Sequence, residues 1–286
     1  MLWLDALVQG LLLGGMYAQY ALGMALMFGV MRIVNTAHGD MMILLALLGV
    51  TLAGALVIGP YVVVAMLVPI AVLLGWLLQR TVLNRVLGND PLPSLIATFG
   101  LSIALRNLMQ DIWSADTRSL PGGGLESASV GVGDLYLGVL PLQIFAAALL
   151  MSAGLDLVLR FTAFGRALRA AAADPEAAAI TGVNPKQVYA WATAVAVGML
   201  GVAAVCQSLR ATVSPADGPA QLIYAFEAVI IGGMGSIWGA FLGAMVLGVS
   251  QAIGFRIDAG WGVLSGHLVF LAVLALRPQG LMSRRA

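Results

Sequence analysis

Charge is what this chain has least of. Its 286 residues include only 14 Lys or Arg and 13 Asp or Glu, a charged share of 9%, whereas hydrophobic residues reach 61%. Soluble domains carry about 25% charged residues, so an ordinary water-facing domain is excluded. A net charge of +1 with no basic run leaves nothing to neutralise a line of phosphates, which excludes nucleic-acid binding. Cysteine occurs once, as Cys206 in an apolar stretch, which excludes intrachain disulfides and thiolate metal clusters.

Lysine also occurs once. Lys186 follows Val183, Asn184 and Pro185, so a GxxxxGK[ST] phosphate loop appears nowhere and the chain has no Walker-type ATPase site. Histidine is limited to His38 and His267, far apart in sequence, too few for a histidine-based metal centre or catalytic triad without much outside help. The expectation is a protein that is not an enzyme, with no catalytic residue, metal ligand or cofactor of its own.

What the chain does have is long apolar runs. Six stretches lack Asp, Glu, Lys and Arg altogether: 6–31, 41–79, 135–155, 187–209, 228–255 and 259–276. A helix needs about 20 apolar residues to cross a bilayer core of roughly 30 Å, so each is a span, and the second has room for two. The fold class is therefore all-α, a polytopic transmembrane helical bundle of about 8 to 9 membrane segments. The first run, behind Asp5, is too long for a cleavable leader and is read as the first span, about Val8 to Met31. Gly59-Pro60 divides the longest run into spans of about 40–58 and 60–79, because proline suits a first helical position better than an interior one. A fourth span, about Leu92 to Trp113, carries Arg106 and Asp111 in its last third, and Arg106 is expected to snorkel. The Pro121-Gly122-Gly123-Gly124 region, 114–134, reads as loop. Spans of about 135–158 and 187–208 follow.

The segment 222–236 is apolar except for Glu227 and is short for a crossing. Counting arginine and lysine in the connecting segments decides its reading. If it crosses, Arg32, Arg80, Arg85, Arg160, Arg166, Arg169, Lys186, Arg277, Arg284 and Arg285 share one side, against Arg118, Arg210 and Arg256 on the other. If it dips and returns, the asymmetry shrinks. The expectation is nine segments, the seventh short, with the N-terminus outside and the C-terminus cytoplasmic. Glycines need a reason in so helical a chain, and close helix contact supplies it: Gly10 and Gly14 share a face, as do Gly235, Gly239 and Gly243 beside Ala240 and Ala244.

Segment 159–186, LRFTAFGRALRAAAADPEAAAITGVNPK, is the one place where charges cluster and alanine replaces Leu, Val and Ile. Asp174-Pro175-Glu176 reads as an N-cap, a proline at the first position and an acid in the first turn of a helix of about eight residues that Gly182 stops. Asn184-Pro185 repeats the start signal. A helix so short is marginal alone, so a partner surface or the rest of the bundle must hold it.

The stretch GRALRAAAADPEAAAITG resembles the cytoplasmic coupling segment of importer permeases of the ATP-binding-cassette class, in particular the branched-chain amino acid permease family. GLLLGGMYAQYALGMALMFGVMRIVNTAHGD (10–40) resembles that family's N-terminal signature, AFEAVIIGGMGSIWGAFLGAMVLG (225–248) its glycine-rich motif and RPQGL (277–281) its terminal one. Gln19-Tyr20 and Glu227 depart from the family's pattern.

The resemblance implies a type II-like permease fold forming a single transmembrane domain over 1–286. It implies a bacterial inner-membrane, multi-pass subunit that moves branched-chain or other neutral amino acids. Its partners would be a second homologous permease, two ATP-binding subunits that bind ATP and Mg, a periplasmic solute-binding protein and the lipid bilayer. Gly165, Arg166, Arg169, Asp174, Glu176 and Gly182 would then couple to the ATPase, with the two arginines pairing with acids there.

Asn35, Thr36, His38 and Asp40 form a polar cluster at the end of the first span. Asn35 suits an N-cap for the second span, and a gate containing His38 is the alternative. Glu227 is expected either to pair with an arginine of either permease or to meet a substrate ammonium. Thr98, Ser102, Asn107 and Gln110 would add polar lining, or Thr and Ser would bond their own helix. Urea or short-chain amide import stands as the alternative within the family, and a secondary transporter, a channel or a non-transport scaffold outside it.

Overall fold

A computed structural model describes residues 2–88, 90–133 and 135–282. In chain order the helices are α1 (Leu2–Met31), α2 (His38–Leu56), α3 (Pro60–Leu78), a π-helical turn Gln79–Leu83, α4 (Asn84–Val86), α5 (Leu92–Trp113), α6 (Val139–Phe161), α7 (Ala163–Ala173), α8 (Pro175–Ile180), α9 (Pro185–Arg210), α10 (Gly218–Gly232), α11 (Ile237–Ile257) and α12 (Trp261–Leu276). Among the described residues seven helical segments are long and apolar enough to cross a membrane: those of α1, α2, α5, α6, α9 and α11, and the one running from Pro60 through Val86. The protein is a multi-pass membrane protein.

The two remaining apolar helices are short. α10 has 15 residues and α12 has 16, so at 1.5 Å per residue each measures roughly 22–24 Å. The short seventh segment was anticipated; the short ninth was not, because the turn at Asp258 to Gly260 takes up the start of its charge-free run. The fifth span also begins later than expected. Residues 135–138 form a strand, β2 (Leu135–Gly138), antiparallel to β1 (Ser129–Val132), with Gly133 at φ 60° where the chain reverses. Part of the expected loop is thus a small hairpin. Arg284 and Arg285, used in the charge count, lie outside the described residues.

Contacts divide the chain into a central unit, Leu26–Pro121 with Ala153–Leu222, and a terminal unit, Met1–Ala25 with Gly122–Ser152 and Ile223–Ala286. In the central unit α3 and α9 form the main pairing. A Cβ on Gly75 would stand 2.7 Å from the Thr193 carbonyl oxygen and 2.8 Å from the Val197 Cβ, so glycine is what lets these helices meet. One turn on, the buried Thr193 hydroxyl donates to Gln79 Oε1 at 2.6 Å, and Gln79 Nε2 donates to Asn84 Oδ1 at 3.0 Å. This bonding satisfies a glutamine within the π-helical turn that carries α3 into α4.

In the terminal unit α1 crosses α11 at the backbone. A Cβ on Gly14 would lie 2.8 Å from both the Ala244 oxygen and the Met245 Cα, and one on Gly10 would lie 2.6 Å from the Val249 Cα. Gly239 and Gly243 face α10 in the same way. Gly235 does not join that face: at φ 84° it belongs to the turn before α11, whose N-cap is Ser236. The RPQGL segment closes this unit. The N–H groups of Leu281 and Met282 donate to the Ile231 and Gly232 carbonyls, both at 2.9 Å, and so satisfy the end of α10.

Candidate functional site

Three polar constellations stand out: two in the central unit and one in the terminal unit.

The first is an elbow between α6 and α9. Thr162 caps α7, its hydroxyl accepting from the Gly165 N–H at 3.1 Å. Asp174 caps α8 as expected, accepting from the N–H groups of Glu176 at 2.9 Å and Ala177 at 3.0 Å. Asn184 caps α9 through the Gln187 N–H at 3.2 Å. Gly182, at φ 88°, makes the left-handed stop that a side chain would strain.

The short helix has 6 residues rather than eight, and an 11-residue neighbour, α7, precedes it, which the sequence reading had not separated out. The bundle holds both: Leu168, Ala171 and Ala178 are buried, and the Tyr189 hydroxyl donates to the Ala171 carbonyl at 3.0 Å. Gly165 sits against the Leu159 carbonyl so closely that no Cβ fits. Arg169 is exposed, and its guanidinium donates back to that same Leu159 carbonyl. Arg166 and Glu176 are exposed. So is Ile180, at 88%, the one large apolar side chain of α8. It is the feature of the elbow that sequence reasoning missed.

The second constellation joins the start of α2 to α5. Asn35 is not the N-cap of α2, which begins one residue after Ala37. It acts earlier: its side-chain oxygen accepts from the Ala37 N–H at 3.0 Å, and its amide reaches Met41 Sδ at 3.8 Å. The Thr36 and Thr98 hydroxyls are 3.0 Å apart, and Thr98 also donates to the Ser94 carbonyl at 2.9 Å.

Asp40 is buried, accepts from the Ser102 hydroxyl and lies 3.5 Å from Arg106 Nε, an ion-pair contact without hydrogen-bond geometry. Arg106 therefore does not snorkel away; it turns along α5 toward this carboxylate, with 33% of its side chain exposed. Gly218, at the start of α10, lies directly over Asp40 and Gly39. His38 is buried among these residues. Asn107 and Gln110 are exposed and take no part.

The third constellation lies in the terminal unit. Glu227 on α10 is 3% exposed and is hydrogen-bonded through Oε1 to His267 Nδ1 of α12 at 2.5 Å. Within this chain its partner is this histidine, a pairing the sequence had not suggested. Tyr224 stacks on Tyr17 at 4.8 Å between centroids and lies parallel to the His267 ring at 6.5 Å. The Tyr17 hydroxyl donates to Gln251 Oε1 at 2.6 Å. Two polar atoms in this chain of contacts have no hydrogen-bond partner among the described residues: Glu227 Oε2 and Gln251 Nε2. Both are buried, and an acceptor and a donor left so is costly unless something else satisfies them.

Among the described residues no group of three His, Cys, Asp or Glu side chains is placed to hold a metal ion.

Residues 6–274 match the model of a family described as the permease component of the branched-chain amino acid transport system. Among individual proteins, the chain is 31% identical to BraD of Pseudomonas aeruginosa, named a high-affinity branched-chain amino acid transport system permease protein, over 99% of this chain and 96% of that one. It is 27% identical to the Escherichia coli protein LivH, similarly named, with the same coverage of both chains. It is 26% identical to a probable LivH of Methanocaldococcus jannaschii over 90% of this chain and 82% of that one.

Proposed function

Because the chain belongs to the family of permease components of branched-chain amino acid transport systems, we propose that it is the membrane permease subunit of an ATP-driven importer for branched-chain or other neutral amino acids. It is a transport subunit, not an enzyme. The chain works in the bacterial inner membrane beside a second homologous permease, with its N-terminus outside. Two ATP-binding subunits hold ATP and Mg on the cytoplasmic face, and a periplasmic binding protein delivers the solute.

The observation that carries this reading is the elbow 162–184. Three side-chain caps and a left-handed glycine fix its shape, yet it presents Ile180 to solvent. Such local order, with a large apolar side chain held outward, suits the elbow to docking against a partner. Closure of the ATPase would push on Ile180, Arg166 and Glu176. The two capped joints at Thr162 and Asn184 would pass that push to α6 and α9. Gly165 and Arg169 set the angle of α7 against Leu159 rather than touching the partner.

Asn35, His38, Thr98 and Ser102 are assigned to the gate: Thr36 with Thr98, and Asp40 with Ser102 and Arg106, join the start of α2 to α5 by polar contacts that exchange more readily than packed carbons, and Asn35 and His38 are buried in the same stretch of chain. Glu227 is assigned to substrate recognition. Its unpartnered Oε2 is the acceptor that an α-ammonium group requires, and urea or a simple amide brings no cation to it.

Reconstitution in vesicles tests the proposal. Uptake of labelled leucine should require ATP, the ATP-binding subunits and the binding protein together. Uptake by this chain unaided would overturn it.

A further inference from the structure

Where the span through α3 ends, the chain gathers cations that nothing balances. Arg80, Arg85 and Lys186 line one pocket of about 320 Å³ together with Asn84, Asn184 and Gln187, and no acid joins them. None of the three cations has an ion-pair partner among the described residues. An adjoining hollow of about 670 Å³ shares Asn84, Asn184 and Lys186 and runs toward α8, where Glu176 is its one acid. The smaller pocket therefore presents three positive charges, side-chain amides as donors, and room for a compact anion.

The helix leading to it shows what such an anion would be attached to. Met66, Ile70, Leu73 and Leu77 of α3 are all exposed large hydrophobics, at spacings of four, three and four residues, so they form a single stripe along one face. The same stripe continues one turn on to Arg80, whose guanidinium lies over the Trp76 ring at 4.7 Å. Tryptophan with a cation at the end of an apolar helix is the pattern of a membrane–water boundary. A chain-length apolar strip ending in a three-cation pocket is complementary to an amphiphile with an anionic head.

We propose that Arg80, Arg85 and Lys186 bind the phosphate of an anionic phospholipid whose acyl chain lies along Met66, Ile70, Leu73 and Leu77. Basic pockets between spans at a membrane surface are suited to such headgroups, and guanidinium pairs grip phosphate oxygens in a fixed fork. The pocket shares Asn184 and Lys186 with the start of α9, so the lipid would brace the joint between α9 and the α7–α8 elbow. This site shares no residue with the proposed gate and does not include Glu227.

The test uses the full chain purified in neutral detergent, titrated with phosphatidylglycerol or phosphatidylcholine of equal chain length, bound lipid being counted by native mass spectrometry. The expected result is preferential retention of phosphatidylglycerol. The triple substitution Arg80→Gln, Arg85→Gln, Lys186→Gln should weaken phosphatidylglycerol binding on the order of a hundredfold, about fivefold per charge, and leave phosphatidylcholine binding unchanged. A charge-keeping pair, Arg80→Lys with Arg85→Lys, retains most of the preference and guards against a folding artefact. Leu73→Asn with Leu77→Asn should weaken phosphatidylglycerol as well.

Equal binding of the two lipids would overturn the proposal, as would an unaffected triple variant. Displacement of phosphatidylglycerol by inorganic phosphate or glycerol phosphate at matching concentration would show a free-anion site instead. If the triple variant lost its ATPase partner while keeping its lipid preference, the cations would belong to a protein contact.

Discussion

Removing Arg106 should expose how much the α2–α5 junction depends on one buried carboxylate. Asp40 is almost fully buried and has two polar partners, the Ser102 hydroxyl and the Arg106 guanidinium 3.5 Å away. At that distance and an effective dielectric constant of about 20, the pair attracts by roughly 5 kcal/mol. Desolvation of both charges offsets most of this, and the part-exposed arginine lowers it further, so the net worth of the pair is small.

The asymmetry lies in breaking it. Arg106→Leu strands the Asp40 charge and is expected to cost about 3 kcal/mol. Asp40→Asn with Arg106→Leu together should cost only about 1 kcal/mol, because no unpaired charge then remains. The assay is a double-mutant cycle on the purified protein, reading SDS-induced unfolding by tryptophan fluorescence at several concentrations of NaCl. A coupling energy below about 0.5 kcal/mol, the range found for independent sites, would refute the claim that these two groups hold α2 to α5.

Other substitutions probe the rest of the molecule. Gly14→Ala should lower stability in detergent by about 1–3 kcal/mol, and Gly14→Leu should prevent accumulation of folded protein, since even a Cβ there meets the α11 backbone at 2.8 Å. Asp174→Arg or Gly182→Trp should abolish ATP-driven uptake in vesicles or stop the ATP-binding subunits from co-purifying; normal uptake with normal co-purification would refute the coupling role. His38→Ala should slow uptake at every pH from about 6 to 8, and an unchanged rate throughout would remove His38 from the gate.

Apolar length and local stop signals were readable in one dimension. The break at Gly59-Pro60, the caps at Asp174 and Asn184 and the stop at Gly182 act within a few residues of themselves, and all four appear where the pattern puts them. Partnerships across the bundle are another matter. Arg106 reaches Asp40 and Glu227 reaches His267 only because separate helices meet, and nothing in the spacing of those residues announces it. Helix α7 was not separated out, although alanine favours a helix, because its cap Thr162 lacks the following proline that marks Asp174 and Asn184 as helix starts. The hairpin at β1 and β2 was missed because glycine and serine outnumber its β-branched residues. Asn35 looked like a cap because capping chemistry and an Asx turn use the same side-chain oxygen, and only the folded backbone decides which N–H it takes.

The last described residues act as a clasp. Because Leu281 and Met282 occupy carbonyls that α10 cannot use internally, cutting the chain at Gln279 would fray the helix bearing Glu227 from its far end, with no change to the glutamate itself. If Glu227 meets the solute as proposed, variants trimmed there would take up less of it although none of the removed residues touches it.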